Sequence, residues 1–364
     1  VLAVTVPISH GHWGRVPELL ARRGVQVTMV ASDRPRAEDM VDGVDYQVIP
    51  MRRAVSPMAD LGALARWHML LRDIRPDAVV AATPKAGMLA MVAARAFGIR
   101  VRHFHVWGCK WDGQRGVSAQ LAKLGDRVAC AAASDVVAVG AGVRTLLHAQ
   151  GITRKHVRVL GSGGSKGVDL SRFRYRAPRI GGDVAPVIGF AGRLARDKGM
   201  EYLLPVLHRV ERGVPGVQLV IAGAADEADP ESRAIMDALR ASPAVTMVGE
   251  VDDMPSFLSG IDVLCFPSLR EGLPNVVIEA AACGVPAVAW RVTGLPDTVV
   301  DGSTGFLVPR GEVDVLARRI EELLQFPALR ADMARRGREF VEARFGSAHV
   351  QEMHAEDILA SLGE

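Results

Sequence analysis

Four charged side chains stand out by their spacing. Arg193 and Lys198 follow an apolar run that turns at glycine, Gly189-Phe190-Ala191-Gly192, and Lys198 sits within Asp197-Lys198-Gly199. Glu271 and Glu279 bracket Gly272-Leu273-Pro274-Asn275-Val276-Val277-Ile278. Two cations at a glycine turn ahead of a helix combine fixed charge with unpaired backbone N–H groups, the two things a diphosphate needs. A carboxylate just before a helix reaches a hydroxyl in a crevice, and one a turn inside it accepts both protons of a vicinal diol. Pro274 suits the first turn of a helix, where its missing N–H costs nothing. Asn275 and the neighbouring N–H groups then lie at the positive end of the helix dipole. The plainer readings are a solvated basic loop and ordinary capping glutamates, but the Gly-Leu-Pro turn has no capping role.

Weaker signals surround these. In Gly249-Glu250-Val251-Asp252-Asp253, Val251 is a small apolar residue able to lie against a base. The glycines between Trp290 and Phe306 read as structural turns. In the first loop, Ser9-His10-Gly11-His12-Trp13-Gly14, Gly11 leaves room for phosphates. His105 ends the apolar run Val101–Val106, where a lone histidine is more often structural than catalytic. No Asp-x-Asp motif falls where a nucleotide would bind and no His/Cys cluster has metal spacing, so no metal is expected.

The segments that must position these residues alternate between short apolar runs and longer helical patterns. Strands are predicted at Val1–Ile8, Val25–Ala31, Tyr46–Met51, Ala78–Ala82, Val101–Val106, Val136–Val139 and His156–Leu160. Helices are predicted between them at Trp13–Arg23, Leu61–Ile74, Gly87–Phe97, Ser118–Ala132 and Val143–Gln150. Ser171–Pro186, rich in Arg, Pro and Gly, reads as a linker. The alternation restarts with strands at Val187–Ala191, Val217–Ala222, Val245–Val248, Val263–Phe266 and Ala287–Ala289. Helices are predicted at Met200–Val210, Glu231–Ala241, Met254–Leu258 and Asn275–Ala282, with three more over Val313–Leu324, Ala328–Ala343 and Ala348–Leu362. Strands apolar on both faces imply parallel sheets covered by helices, so the expected fold is two doubly wound α/β domains in tandem. Ligands bind beyond the carboxyl ends of such strands, and with two sheets the cleft between them is the expected site. The expected domains are 1–170 for the acceptor, a linker 171–186, a nucleotide-binding domain 187–345, and a last helix over 346–364 that crosses back.

Composition narrows the class. The 364 residues are 49% hydrophobic and 23% charged, a globular mix. The charge is uneven: 27 Lys and Arg oppose 13 Asp and Glu over residues 1–180, against 17 and 28 over 181–364. A basic first half suits an anionic membrane face or a phosphate-bearing acceptor, or is simply that half's own surface. Few aromatics and no basic stretch interleaved with them argue against nucleic acid. No apolar run is long enough to span a bilayer and no export signal is evident, so a cytoplasmic protein, peripheral at the inner membrane face, is expected. Of four scattered cysteines without CxxC spacing, Cys265 and Cys283 read as core residues, consistent with a reducing compartment.

On these motifs the chain resembles the retaining glycosyltransferase family 4, of the GT-B architecture in which two Rossmann-like domains face across a cleft. The resemblance runs through Val187–Gly199, Val217–Gly223, Val245–Pro255, Asp262–Glu279, Cys283–Pro286 and Gly294–Val308. It implies that Arg193 and Lys198 hold the donor diphosphate, with Gly192 at the turn. Glu271 would bind the donor sugar with the backbone of Gly272, Leu273, Pro274 and Asn275. Glu279 would take the ribose, Val251 the base. Ala82–Gly87 and Gly161–Phe173 are similar to members that build bacterial cell-surface polysaccharides on lipid carriers. The family often has a histidine just before a glycine after the fifth strand; here Trp107 precedes Gly108, and His105 is two residues early. The implied reaction moves a hexose or N-acetylhexosamine from a nucleotide sugar, by family habit UDP-linked. The donor is a co-substrate and no separate cofactor is implied. The acceptor would be a saccharide, lipid-diphosphate-linked in keeping with the basic first half, or a soluble natural product. Two other classes fit less well: a two-lobed sugar-binding protein, and a nucleotide-sugar 2-epimerase. A nicotinamide oxidoreductase lacks its GxGxxG after the first strand.

Overall fold

The computed structural model describes residues 1–52, 56–178, 185–224 and 230–363. The chain divides into two compact units, residues 1–167 with 347–364, and residues 168–346.

The first unit contains the strands β1 (Leu2–Ala3), β2 (Val27–Ala31), β3 (Val44–Val48), β4 (Ala78–Ala82), β5 (Val101–Val106), β6 (Asp135–Ala138) and β7 (Val157–Arg158). The helices α1 (Val16–Arg22), α2 (Pro57–Ile74), α3 (Pro84–Ala96), α4 (Val117–Ala132) and α5 (Ala141–Ala149) lie between them. All strands run parallel, in the order β3-β2-β1-β4-β5-β6-β7. The predicted first strand is cut short. Pro7, with no N–H and a fixed φ, opens a 3₁₀ helix over Pro7–Trp13, and α1 therefore starts only at Val16. Thr83, at the end of β4, has φ +69, which a β-branched residue rarely adopts. It is held there by its hydroxyl, which accepts from Thr5 N–H at 2.9 Å and lies 2.7 Å from Thr5 Oγ1.

The second unit contains β8 (Val187–Ala191), β9 (Gln218–Ala222), β10 (Val245–Gly249), β11 (Val263–Phe266), β12 (Ala287–Trp290) and β13 (Gly305–Val308). Its helices are α6 (Leu203–Gly213), α7 (Pro230–Ala241), α8 (Met254–Ser259), α9 (Asn275–Ala282), α10 (Leu295–Thr298), α11 (Val313–Gln325) and α12 (Pro327–Arg344). The order is β10-β9-β8-β11-β12-β13, again all parallel. Helix α6 buries Leu203, Val206, Leu207 and Val210, the i, i+3, i+4, i+7 stripe of a helix lying on a sheet. Phe190, Ile221, Val263 and Trp290 meet that stripe in one core cluster. The last helix, α13 (Ser347–Gly363), belongs to the first unit.

The short α10 and the strand β13 were not expected from the sequence. β13 is an edge strand whose pairing with β12 depends on Gly305, where a Cβ would lie 2.4 Å from Ala287 O. The stretch read as a linker is described up to residue 178 and lies outside the described residues over 179–184. Its described start is packed rather than loose: Phe173 is buried, and Arg176 N–H donates to Cys283 O at 3.1 Å.

In each sheet the strand order reverses once, between β1 and β4 and between β8 and β11. At such a switch point the loops leaving adjacent strands diverge to opposite faces and open a crevice. Beside the second, Gly223 passes Gly192 so closely that a Cβ on Gly223 would lie 1.8 Å from Gly192 O, and its φ is +145. Gly223→Ala should therefore cost roughly 2–4 kcal/mol from combined strain and overpacking. A chemical-denaturation midpoint equal to that of the parent would contradict this.

Candidate functional site

The loops after β8 and β11 carry the charged residues, and these strands are neighbours, with Val263 opposite Ile188 and Leu264 opposite Gly189. Lys198 Nζ donates to Glu271 Oε1 at 2.6 Å, and Ser268 Oγ donates to the same oxygen at 2.6 Å. The Glu271 side chain is 9% exposed. A carboxylate so far from water needs such donors to offset its lost hydration. A second ion cluster lies alongside. Asp197 accepts from Arg193 Nη2 at 2.8 Å and from Arg270 Nη2 at 2.7 Å. The two loops are also tied through their backbones, Leu269 N–H donating to Asp197 O at 3.0 Å.

The local chain explains the convergence and corrects one expectation. Arg193 and Lys198 do not sit directly at the start of an α-helix. Two 3₁₀ turns, Arg196–Lys198 and Met200–Tyr202, precede α6, which begins at Leu203. Gly199, with φ +72, separates the turns, and a Cβ on it would lie 1.9 Å from Pro267 O. That close passage lays Lys198 against the loop that carries Glu271.

Ahead of α9, Pro274 is the N-cap residue rather than the first helical one, because its ψ of 107° is extended. Asn275 opens the helix. Its Oδ1 is buried and has no hydrogen-bond partner among the described residues. Leu273 is buried and Gly272 half-buried. The Gly272 carbonyl is pressed from behind by Gly294, where a Cβ would lie 2.1 Å from Gly272 O. The later glycine turn thus supports the Gly-Leu-Pro segment. Glu279 lies on α9 and is buried. Its charge helps push the Cys283 thiol up to about 11, after burial, the larger cause. Val251 is half-buried in the turn between β10 and α8, where Asp253 caps α8 by accepting from Ser256 N–H at 3.3 Å.

Within this unit the structure brings Arg193, Lys198, Glu271 and the start of α9 to the ends of adjacent strands. It also adds Ser268, Asp197 and Arg270, which spacing did not single out. Their signal was present as a buried strand ending in Pro-Ser-Leu-Arg just ahead of Glu271, but partners some 70 residues away are set by strand pairing.

In the first unit the expectations fare differently. Gly11 lies exposed in the 3₁₀ segment, and a Cβ there would meet nothing within 4 Å. The chain itself does not require glycine at that place. His105 is 1% exposed, with ring centroids 5.2 Å from Trp13 and 5.5 Å from His354. Burial holds it neutral, well below the ordinary histidine value. His105, expected at a strand end facing a cleft, lies instead among the buried rings of this unit.

The glycosyl transferases group 1 family model matches residues 185–325, and the glycosyl transferase 4-like domain model matches residues 12–163. The capsular polysaccharide biosynthesis glycosyltransferase CapM of Staphylococcus aureus is 29% identical over 96% of this chain and 92% of its own length. The alpha-maltose-1-phosphate synthase of Mycolicibacterium smegmatis is 31% identical over 67% of each chain. Among solved structures, Anabaena HepE in complex with UDP and glucose superposes with a TM-score of 0.78 at 18% identity, over 99% of this chain and 98% of that one.

Removing the Ser268 hydroxyl takes one donor from a nearly buried carboxylate. Ser268→Ala should cost about 1–2 kcal/mol, read as a drop in denaturation midpoint. An unchanged midpoint would mean that Lys198 alone satisfies Glu271.

Proposed function

The chain belongs to the glycosyl transferases group 1 family, with the GT-B fold, and from that premise we propose a donor, an acceptor and a role for each site residue. It transfers a hexose or N-acetylhexosamine from UDP-sugar to a lipid-linked saccharide, with retention of anomeric configuration. The observation that carries this reading is the Lys198–Glu271 contact at the switch point of the second sheet, beside the Arg193–Asp197–Arg270 cluster. Arg193 and Lys198 take the donor diphosphate, with Gly192 leaving room for its approach. Glu271 and the N–H groups from Gly272 to Asn275 take the sugar, and the buried, unpartnered Asn275 Oδ1 is an acceptor for a sugar hydroxyl. Glu279 receives the ribose diol and Val251 faces the base. Gly11, which the fold does not need as glycine, leaves space for the phosphates on the acceptor side.

The chemistry is an exchange at one carbon. The bond from the anomeric carbon to the diphosphate breaks, and the acceptor hydroxyl oxygen forms the new bond on the same face. Its proton passes to the leaving phosphate oxygen. Charge developing on that oxygen is stabilised by Arg193, Lys198 and the start of α9, preorganised electrostatics that do not require a divalent ion. The UDP and glucose in HepE and the capsular role in the name of CapM support the choice of donor and of product class.

The first unit meets the membrane carrying the acceptor. Helix α4 exposes Val117, Leu121, Leu124 and Val128, an i, i+4, i+7, i+11 stripe, with Arg115 and Arg127 exposed beside it. Apolar side chains flanked by cations suit an anionic lipid surface. Among the described residues no helix is long and apolar enough to cross a membrane.

Glu271→Gln should lower turnover about 100-fold or more while still giving a folded protein with a cooperative melt, and wild-type transfer should be insensitive to EDTA. Parent-like turnover in that variant would remove Glu271 from the site. In thermal shift, UDP should stabilise the protein more than GDP or ADP; a larger rise with either would reassign the donor. Leu121→Asp with Leu124→Asp should cut co-sedimentation with phosphatidylglycerol vesicles about tenfold at unchanged activity on a soluble acceptor analogue. Unaltered partitioning would exclude α4 as the docking face.

A further inference from the structure

The first unit holds a second cluster of chemistry-bearing side chains, buried and built around His105. His103 and His105, two apart on β5, point to one face of the strand. Helix α13 brings Asp357 against them from the far end of the chain. One ring nitrogen of each histidine and a carboxylate oxygen of Asp357 all lie within 4.8 Å of one another. His103 Nδ1 is 3.8 Å from Asp357 Oδ2. Both histidines are at least nine-tenths buried, and His103 Nδ1 and His105 Nε2 have no hydrogen-bond partner among the described residues. Native interiors rarely leave such nitrogens unsatisfied.

We propose that His103, His105 and Asp357 form a site for one divalent transition-metal ion that fastens α13 to β5. Two imidazoles and one carboxylate are a donor set suited to zinc and its late first-row neighbours, with a remaining position for water. The charges allow it. Arg158 is paired with both Asp135 and Asp357. Asp135 offsets the guanidinium, and the Asp357 carboxylate then balances half of a divalent charge. Arg158 holds both Asp357 oxygens, Nη1 on Oδ1 and Nη2 on Oδ2 at 3.2 Å, and so fixes the carboxylate's orientation toward the histidines. Burial favours neutral imidazoles at both positions, the form that binds metal. An approach exists as well: His103 lines a cavity of about 750 Å³ together with Arg100, Ser134, Asp135 and Ser361. The site is structural: it joins positions 103 and 357 by a bond that survives when the apolar contacts of α13 loosen, and it contributes no atom to transfer.

The test uses the full, tag-free chain, stripped of metal by a chelator. Titration with Co²⁺ should give visible ligand-field bands saturating at one equivalent. Zn²⁺ at 100 times its dissociation constant should raise the melting temperature by roughly 5 °C. Both signals should vanish in His103→Gln and in Asp357→Asn, the second of which keeps the side chain's volume and a carbonyl for Arg158. UDP-induced stabilisation should persist in both variants, which separates failure of this site from failure of the donor site. Zinc binding with no rise in melting temperature, or bands retained in both variants, overturns the proposal. So does an anomalous zinc peak in crystals that lies anywhere other than among these three side chains.

Discussion

The second unit depends on a neighbour relation: β8 and β11 are adjacent although some 70 residues separate them. That adjacency lets Lys198 and Ser268 share one oxygen of Glu271, and it lets Asp197 hold Arg193 and Arg270 together. A carboxylate with little access to water and cations without a counter-charge would each be costly alone. Paired across the switch point, they are held in place before any anion arrives. On the proposed reading, an incoming diphosphate would meet cations already gathered, with little reorganisation left for the moment of reaction.

Backbone crossings fix these loops. Gly223 over Gly192, Gly199 against Pro267 and Gly294 behind Gly272 are places where two main chains pass too closely for any Cβ. Each crossing carries the position of one element of the site: the turn after β8, the Lys198 loop and the segment ahead of α9. Gly11 is different in kind, since nothing in the chain occupies the space its missing side chain leaves. The crossing glycines serve packing, whereas Gly11 is exposed and answers to no packing demand.

The first unit places its polar chemistry inside. Trp13, His105 and His354 pack ring against ring, and His354 Nε2 lies 2.9 Å from Gly164 O. Asp357 is drawn to Arg158. The last helix completes this interior, so the fold of residues 1–167 is finished by a segment some 180 residues further along the chain. On the outside the same unit shows the α4 stripe of exposed apolar side chains.

The sequence alone determined the alternation of strand and helix, and with it the two parallel sheets, because strands buried on both faces must be apolar throughout. It also pointed to the candidate site residues whose signal is local: Arg193, Lys198, Glu271 and Glu279 lie within short motifs whose turn chemistry is legible residue by residue. It missed β13, an edge strand that exists only because β12 is there to pair with it, and it ran the first strand on through Pro7. Tertiary structure alone decided which partners those charges meet. Ser268, Asp197 and Arg270 are unremarkable until β11 is laid beside β8. The same holds for the histidines. Between His105 and Asp357 the numbering offers no spacing to read, and His105 looked like a strand-end residue until the packing of Trp13 and α13 enclosed it. Local pattern reports the propensity and burial of a segment, whereas a site assembled from distant segments exists only once strand order is set, and strand order is settled by the whole chain's burial at once.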